Sequence, residues 1–280
     1  MKNIYKTMNA VNFVLLAVTA LAASSSADCD ACLQSICYNK SIVLKNTDIH
    51  GGIDVYRKTN TLYFQYSNNY VNAGVGLDNG KITRIPDIDF PLTSCRAVDQ
   101  QTGQVFLGTT RGLYEYNPAT DTSRFLGLKS ETIWLMQHNK KLYYSKLPYG
   151  MCTVDRDYNW ECIRALRYVE IDDFVVDKKD DIYYRSGSKH YRLANNSDVS
   201  EYLFTHRFAK LAVDKNGELY TSIFRNLSKL NYESDDFEPI GSVKKVNMFE
   251  YVFDSNHHIV FHDIQSSPAS ILKLVPNGTC

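Results

Sequence analysis

The chain has 280 residues, of which 44% are hydrophobic and 22% are charged, and its 31 basic residues balance its 31 acidic ones. This composition excludes an intrinsically disordered chain and supplies enough apolar residues for a sizeable core. A net charge of zero gives no electrostatic reason to expect nucleic acid or an anionic membrane as a partner.

The N-terminus has the pattern of a secretory signal peptide over residues 1–27. Two lysines precede an apolar stretch over residues 11–23, and small residues follow up to Ala27, after which we place the cleavage. The apolar stretch is shorter than a typical transmembrane helix, and no later stretch is long enough to span a bilayer. We therefore expect a secreted, extracellular protein whose mature chain, residues 28–280, forms one domain.

Seven cysteines agree with export, because disulfides persist outside the cell. Cys29 and Cys32 form a Cys-x2-Cys pair, which also suggests zinc. No second ligand pair lies at zinc-finger spacing, so disulfides are the better interpretation. Four Asn-x-Ser/Thr sequons are candidate glycosylation sites, at Asn39, Asn195, Asn226 and Asn277.

Two disulfides are expected from the positions of the cysteines. Cys152 and Cys162 flank a short segment, and we expect them to pair across a hairpin. Cys280 is the last residue, and we expect it to bond with one cysteine of the N-terminal cluster, for which Cys37 is the candidate. Because seven is odd, at least one thiol is free or pairs with another chain, and Cys95 is unassigned.

A sequence motif of two apolar strands joined by a polar turn recurs along the chain. In its clearest copy, from Phe174 to Tyr184, the first strand ends at Asp177. Successive copies are 45, 38, 40, 37 and 40 residues apart, and their anchors are Asp54, Asp99, Gln137, Asp177, Asp214 and Asp254. Six units of this length, each rich in short strands, predict an all-β fold, a six-bladed β-propeller with four-stranded blades.

Ring closure follows from the ends of the chain. The last unit has only three strands before Cys280, so we expect the strand around residues 42–44 to complete the C-terminal blade. Closure of this kind removes exposed sheet edges.

The anchor aspartates have two interpretations. The first is structural, in which each carboxylate accepts backbone N–H bonds and closes the turn between two strands. The second is an array of calcium ligands. Repetition in nearly every unit, with Lys or Gln often following, favours the turn.

The chain contains no nucleophile elbow, metal-binding histidine pair, P-loop or dinucleotide fingerprint, so we assign no catalytic residue, metal or cofactor. His257, His258 and His262 are explained more simply as turn or exposed residues.

A propeller binds ligands at the mouth of its channel, near the start of each first strand. Counting back from the anchors and adding nearby loop residues gives eight candidate ligand-binding residues, which are His50, Arg96, Trp134, Asp173, Arg185, Lys210, Phe249 and Glu250. Lys210 and His50 stand where a calcium-dependent lactonase of this fold would need acidic or amide ligands, so a metal site is disfavoured. A flat aromatic ligand with carboxylates is favoured, because aromatic rings stack and guanidinium groups pair with anions. In the plainer alternative, Trp134 and Phe174 pack between blades and the charges neutralise one another.

Several segments of the mature chain resemble the insect ommochrome-binding proteins. They are residues 32–38, 60–67, 112–117, 173–177 and 272–276, together with Cys280. Members of that family are secreted haemolymph proteins that carry tryptophan-derived pigments, so the resemblance implies a carrier of a small aromatic pigment. We expect a monomer without enzymatic activity. The alternatives are a calcium-dependent lactonase or esterase on the same fold and a propeller that binds another protein.

Overall fold

The computed structural model describes residues 28–86, 88 and 92–280, so the predicted signal peptide lies outside the described residues. In this part the chain forms 25 β-strands and one short 3-10 helix, Arg164–Leu166. The all-β class predicted from the repeats is confirmed.

The strands are short, and their bounds follow the repeated motif. In chain order they are β1 (Ala31–Leu33), β2 (Ile36–Leu44), β3 (Ile49–Tyr56), β4 (Thr61–Tyr66), β5 (Asn72–Gly76), β6 (Ile82–Arg84), β7 (Thr93–Val98), β8 (Val105–Thr109), β9 (Gly112–Asn117), β10 (Thr122–Gly127), β11 (Thr132–Asn139), β12 (Lys141–Leu147), β13 (Met151–Val154), β14 (Trp160–Cys162), β15 (Asp173–Val176), β16 (Ile182–Ser186), β17 (Lys189–Leu193), β18 (Ser200–Thr205), β19 (Ala209–Val213), β20 (Leu219–Ile223), β21 (Asn226–Asn231), β22 (Asp236–Val243), β23 (Tyr251–Phe253), β24 (Ile259–Asp263) and β25 (Ser270–Thr279).

Sixteen of the strands form four antiparallel sheets of four, in which sequence neighbours pair. These sheets are β3–β6, β7–β10, β11–β14 and β15–β18. The other nine strands form one sheet in the order β19-β20-β21-β22-β1-β2-β25-β24-β23. This sheet contains the run β19–β22 and a second run of β23, β24, β25 and β2, with β1 between them.

The sheets pack face to face. The second strand of a sheet, such as β8, is buried along its whole length, whereas outermost strands such as β6 and β10 are largely exposed. Apolar clusters join neighbouring sheets, and one example joins Ala97 and Phe106 of one sheet to Ile133 and Leu142 of the next. The cluster that contains Phe253 and Leu274 lies within the nine-stranded sheet. Side chains that alternate between the two faces of an inner strand therefore contribute to two different clusters.

The two ends of the chain meet in the nine-stranded sheet. β2 pairs with β25, with Ile42 opposite Leu272, so the predicted pairing of the N-terminal strand with the C-terminal strand is confirmed. Cys280 is bonded to the N-terminal cluster through Cys32. Cys37, the candidate partner, is bonded instead to Cys29. The N–H of Cys280 donates to Ser35 O in the turn of the β1–β2 hairpin, which places Cys280 within 6.0 Å of Cys32 between Cα atoms.

The other cysteines follow the prediction. Cys152 and Cys162 are directly opposite each other on β13 and β14 and form the expected disulfide. Cys95 is a free, buried thiol.

The turn role of the anchor aspartate is confirmed in four units. Asp99, Asp177, Asp214 and Asp254 each follow a first strand directly, and the Oδ1 atom of each accepts the backbone N–H two residues later. In the last three units the same oxygen also accepts the N–H four residues later. Asx-turns of this kind fix the hairpin between the first two strands.

Asp54 and Gln137 are not turn anchors, and the prediction is wrong for them. Both lie inside their strands, β3 and β11, two residues before the last residue of the strand. Their side chains cross to the next first strand, where Asp54 Oδ2 accepts the N–H of Val98 at 2.8 Å and Gln137 Oε1 accepts that of Val176 at 2.6 Å. The positions equivalent to Asp99 are therefore Arg57 and Lys140.

We predict that the Cys32–Cys280 disulfide stabilises the fold more than the Cys152–Cys162 disulfide. The two bonds close sequence separations of 248 and 10 residues, and the longer loop removes more entropy from the unfolded chain. Replacing Cys32 and Cys280 by Ser should lower the free energy of unfolding by about 4 to 5 kcal/mol, against about 2 to 3 kcal/mol for the Cys152/Cys162 pair. Urea denaturation of both double variants measures the difference, and equal losses would contradict this account.

Candidate functional site

The first strands of the sheets line a central channel. A cavity of about 440 Å³ is lined by residues of β3, β7, β11, β15, β19 and β23. A second cavity of about 360 Å³, here called the mouth cavity, lies beyond the N-terminal ends of several of these strands. Arg96, Lys210 and Glu250 line both cavities, so they stand where the two meet.

Seven of the eight predicted ligand-binding residues line the mouth cavity, although they are far apart in sequence. They are Arg96, Trp134, Asp173, Arg185, Lys210, Phe249 and Glu250. His50 is not among the lining residues, because a register shift between His50 and Asp54 moves Ile53 into the corresponding place. Gly51 permits this shift with a φ of +69°. His50 contributes only its carbonyl oxygen, which accepts a bond from Arg96 Nη2 at 3.4 Å.

An ammonium group bridges two carboxylates in the mouth cavity. Lys210 Nζ lies 2.8 Å from Asp173 Oδ1 and 3.5 Å from Glu250 Oε2. Burial lowers the pKa of Lys210, but the carboxylates of Asp173 and Glu250 outweigh it, and the net pKa is raised above its usual value. Lys210 is therefore a fixed positive charge at physiological pH.

The two carboxylates are held to different degrees. Asp173 is buried, and its second oxygen accepts the backbone N–H of Leu211 at 3.0 Å. Glu250 is partly exposed, and its contacts to Lys210 and to the N–H of Ile53 are long, at 3.5 and 3.4 Å. Glu250 is thus the less firmly held of the two carboxylates.

Arg96 is a buried cation with unused donors. Its side chain donates from Nη2 to the Thr93 hydroxyl at 3.1 Å, while Nε and Nη1 have no hydrogen-bond partner in the structure. Burial lowers the pKa of Arg96 to about 10, although nearby Glu250 and Asp54 favour its charge. A buried guanidinium with unpartnered N–H groups costs free energy that an anion in the cavity would recover.

Asp54 is a channel residue that the sequence analysis treated as a turn anchor. Burial raises the pKa of Asp54 to about 6, against the opposing effect of Arg57 and two backbone N–H bonds. The turn between β3 and β4 is at residues 57–60, three residues after Asp54, and recognising this turn in the sequence would have placed Asp54 inside the strand.

Aromatic side chains form the rim of the mouth cavity. Trp134 is 42% exposed, and Phe208 and Phe249 are similarly open. Arg185 forms an ion pair with Asp172 at 3.5 Å. Arg207 is exposed, forms no ion pair within the described residues and lies over the Phe208 ring, 5.8 Å from its centroid. The rim can therefore bind an apolar group, with a guanidinium beside it.

The mouth does not fit a divalent cation. Calcium needs six to eight oxygen ligands, whereas here the two carboxylates already face the Lys210 ammonium, and Arg96 adds a second positive charge. Over the described ranges, no group of three or more His, Cys, Asp or Glu side chains is placed to hold a metal ion. His257 and His258 instead face the turn carboxylates of Asp214 and Asp254.

Comparison with known proteins identifies the fold as a β-propeller. A gluconolactonase from Xanthomonas campestris has a TM-score of 0.66 at 12% identity, over 89% of this chain and 96% of the other. Regucalcin from Agrobacterium tumefaciens, a calcium-binding protein, has a TM-score of 0.64 at 9% identity, over 86% and 96%. A luciferin-regenerating enzyme has a TM-score of 0.65 at 11% identity, over 87% and 98%. No protein-family model matches the chain, and the search of curated proteins finds no match.

These structures overturn the predictions of a pigment carrier and of a protein without enzymatic activity, since a gluconolactonase and a luciferin-regenerating enzyme share the fold. The physical reason for the error lies in the segments that carried the resemblance. Residues 112–117, 173–176 and 272–276 are the strands β9, β15 and part of β25, and their apolar pattern is required by the sheets rather than by a pigment.

The sequons differ in accessibility. Asn195, Asn226 and Asn277 are exposed, whereas Asn39 is partly buried on β2 with its Oδ1 atom enclosed. Within the described residues, no helix has the length and apolar character needed to cross a membrane.

Replacing Lys210 by Asn is predicted to create a calcium response that the native protein lacks. The change removes the ammonium and leaves Asp173 and Glu250 beside a neutral oxygen ligand. Calcium at millimolar concentration should raise the melting temperature of Lys210→Asn relative to EDTA and should leave that of the native protein unchanged. Lys210→Met, which adds no ligand, is the control. A calcium-dependent shift in the native protein would contradict our account of the mouth.

The raised pKa of Asp54 predicts a specific pH dependence of stability. A carboxyl group with a folded pKa of about 6 and an ordinary pKa of 3.8 is disfavoured as carboxylate in the folded state. This cost is present above pH 6 and is relieved as the pH falls towards 4. Between pH 7 and pH 4 the native protein should therefore gain about 2 kcal/mol relative to Asp54→Asn, as measured by urea unfolding at each pH. Parallel pH profiles would show that Asp54 is not perturbed.

Proposed function

We propose that this protein is a hydrolase of the lactonase or esterase type, with its site in the mouth cavity and with Lys210 as a built-in cation. The observation that carries the proposal is the buried Arg96, whose Nε and Nη1 groups have no hydrogen-bond partner among the described residues and whose charge interacts with Glu250. Positive donors without a partner beside a loosely held carboxylate are what hydrolysis of an ester needs. The gluconolactonase that shares the fold supports the reaction class.

The proposed reaction uses Glu250 as the general base. Glu250 takes a proton from a water molecule, whose oxygen attacks the carbonyl carbon of the ester or lactone. The carbonyl oxygen becomes an oxyanion, which Arg96 and the Lys210 ammonium stabilise. When the bond between the carbonyl carbon and the ester oxygen breaks, the leaving oxygen takes the proton from Glu250. The products are an acid and an alcohol, joined in one molecule when the substrate is a lactone.

Asp173 has a positioning role in this mechanism. It fixes Lys210 at 2.8 Å and is itself fixed by the N–H of Leu211. Because both oxygens of Asp173 are held, Asp173 keeps the Lys210 ammonium in place, and the proton from water goes to Glu250.

We further propose that the propeller has six blades. The four sheets of four strands supply four blades, and the two runs of the nine-stranded sheet supply two more. In this arrangement β2 completes the C-terminal blade, and residues 28–280 form a single ring-shaped domain.

An extracellular location is proposed from the three disulfides, which are typical of oxidising compartments. Export with cleavage after Ala27 would give a secreted chain beginning at Asp28. Asn195, Asn226 and Asn277 are then accessible for glycosylation, whereas the enclosed amide of Asn39 disfavours modification of the folded chain.

Glu250→Gln is predicted to abolish most of the hydrolytic activity. The amide cannot accept the proton from water, and loss of a general base costs about 10²- to 10⁴-fold in kcat. The test measures acid release from p-nitrophenyl acetate and from five- and six-membered lactones by the native protein, with and without EDTA. We expect activity in both conditions.

Glu170→Gln is the matched control, because this substitution makes the same chemical change at an exposed position that does not line the mouth cavity. Circular dichroism checks that each variant is folded. A native-like rate for Glu250→Gln would remove Glu250 from the mechanism, and hydrolysis that requires added calcium would remove Lys210 from its proposed role.

A further inference from the structure

A separate cavity of about 480 Å³ lies between the sheet β15–β18 and the run β19–β22. One wall comes from β16, β17 and β18, and the other comes from β20, β21 and the start of β22. This inter-sheet cavity shares no lining residue with the mouth cavity or with the cavity in the channel.

Strand register explains why these side chains meet. Tyr183, Arg192 and Glu201 are direct cross-strand neighbours on β16, β17 and β18, so they form one row on one face of the sheet. Thr221 and Ser228 are paired in the same way on β20 and β21. The two rows face each other across the space between the sheets, and all five side chains line the cavity.

The walls are apolar and aromatic. They are formed by Leu203, Phe204, Ile223, Leu230 and Phe237. The rings of Phe204 and Phe237 meet edge to face with their centroids 5.7 Å apart, one from each side of the cavity. Walls of this kind accommodate an aromatic ring.

Two residues that line the cavity carry buried hydroxyl groups without hydrogen-bond partners among the described residues. Tyr183 is 1% exposed and Thr221 is 3% exposed, and neither Tyr183 Oη nor Thr221 Oγ1 has a partner in the structure. Burial raises the pKa of Tyr183, so its hydroxyl stays protonated and can donate. A buried hydroxyl without a partner costs about 1 to 3 kcal/mol, and a hydroxyl group on a ligand would recover that cost.

The outer part of the cavity is acidic. Its exposed carboxylates are Glu201, Asp235 and Asp236, and the cation lining the cavity is Arg192. Arg192 is already paired with Asp181 at 2.7 Å and with Asp235 at 2.8 Å. Within the described residues Glu201 and Asp236 have no basic partner, so an ammonium group on a ligand would meet two unpaired carboxylates.

We propose that the inter-sheet cavity binds a phenolic arylalkylamine, with its ring between the sheets, its hydroxyl at Tyr183 and Thr221, and its ammonium at Glu201 and Asp236. Each part of this ligand matches a separate feature of the cavity. The site is independent of the proposed hydrolase, and neither depends on the other.

Tyramine is the probe, and isothermal titration against the mature protein is the measurement. We expect one molecule to bind per chain. 2-Phenylethylamine, which lacks the hydroxyl, should bind about fivefold more weakly, as expected for one lost hydrogen bond. 4-Hydroxyphenylacetate, which replaces the ammonium by a carboxylate, should not bind measurably. Equal binding of the amine and the acid, or no binding of tyramine, would overturn the proposal.

Variants locate the site. Glu201→Gln combined with Asp236→Asn should weaken tyramine binding about tenfold or more, while Thr221→Val should weaken tyramine about fivefold and leave 2-phenylethylamine unchanged. Thr221→Val replaces an unpartnered hydroxyl by a methyl group of similar size, so folding should be retained.

Glu238→Gln is the control, because Glu238 lies on β22 outside the cavity and is bonded to Asn231. Unchanged tyramine affinity in the first two variants would place binding elsewhere, and unchanged ester hydrolysis in them would separate this result from the test of Glu250.

Discussion

The pairing of β2 with β25 is the constraint on which the rest of the structure depends. It joins residues near the two ends of the chain, and β1 extends the same sheet to β22, so the runs β19–β22 and β23–β25 are hydrogen-bonded through the N-terminal segment. The Cys32–Cys280 bond covalently ties this junction. Within the described residues no other neighbouring sheets are joined by strand pairing. Their contacts come from side chains and from single backbone bonds, such as that of the Lys178 N–H to Gly217 O. The channel is therefore lined by residues that the terminal closure holds in place.

Side chains of the first strands connect neighbouring sheets around the channel, and some of them are also the polar residues of the site. Asp54 bonds to the N–H of Val98, Asp173 to that of Leu211, and Glu250 to that of Ile53. A carboxylate that accepts a short backbone bond, as Asp54 and Asp173 do, is fixed in place. The contact of Glu250 is the longest of the three, so Glu250 is the least firmly held of these carboxylates.

The sequence was sufficient for the all-β class and for the pairing of the chain ends, but insufficient for the register of two units. Four of the anchors close the hairpin as predicted, because an Asp directly after a strand can accept the backbone N–H groups of the following turn. Asp54 and Gln137 follow similar apolar residues, but they lie three positions earlier. Only the strand pairing shows this, because it continues to Tyr56 on β3 and to Asn139 on β11. The mouth residues could be predicted because they need only a position relative to each strand. The inter-sheet cavity could not, since it depends on how two sheets approach each other.

The two proposed sites share one apolar cluster, in which Val175 and Leu211 pack with Tyr183 and Leu230. Val175 is two residues from Asp173, and Leu211 follows Lys210, so this packing provides a physical connection between the inter-sheet cavity and the mouth. A connection alone does not couple two sites, because a ligand shifts an equilibrium only if it binds two arrangements with different affinity. The cluster lies between sheets whose first strands are fixed by the Asp173 bond to Leu211, which leaves little room for a second arrangement. The structure therefore favours two sites that act independently.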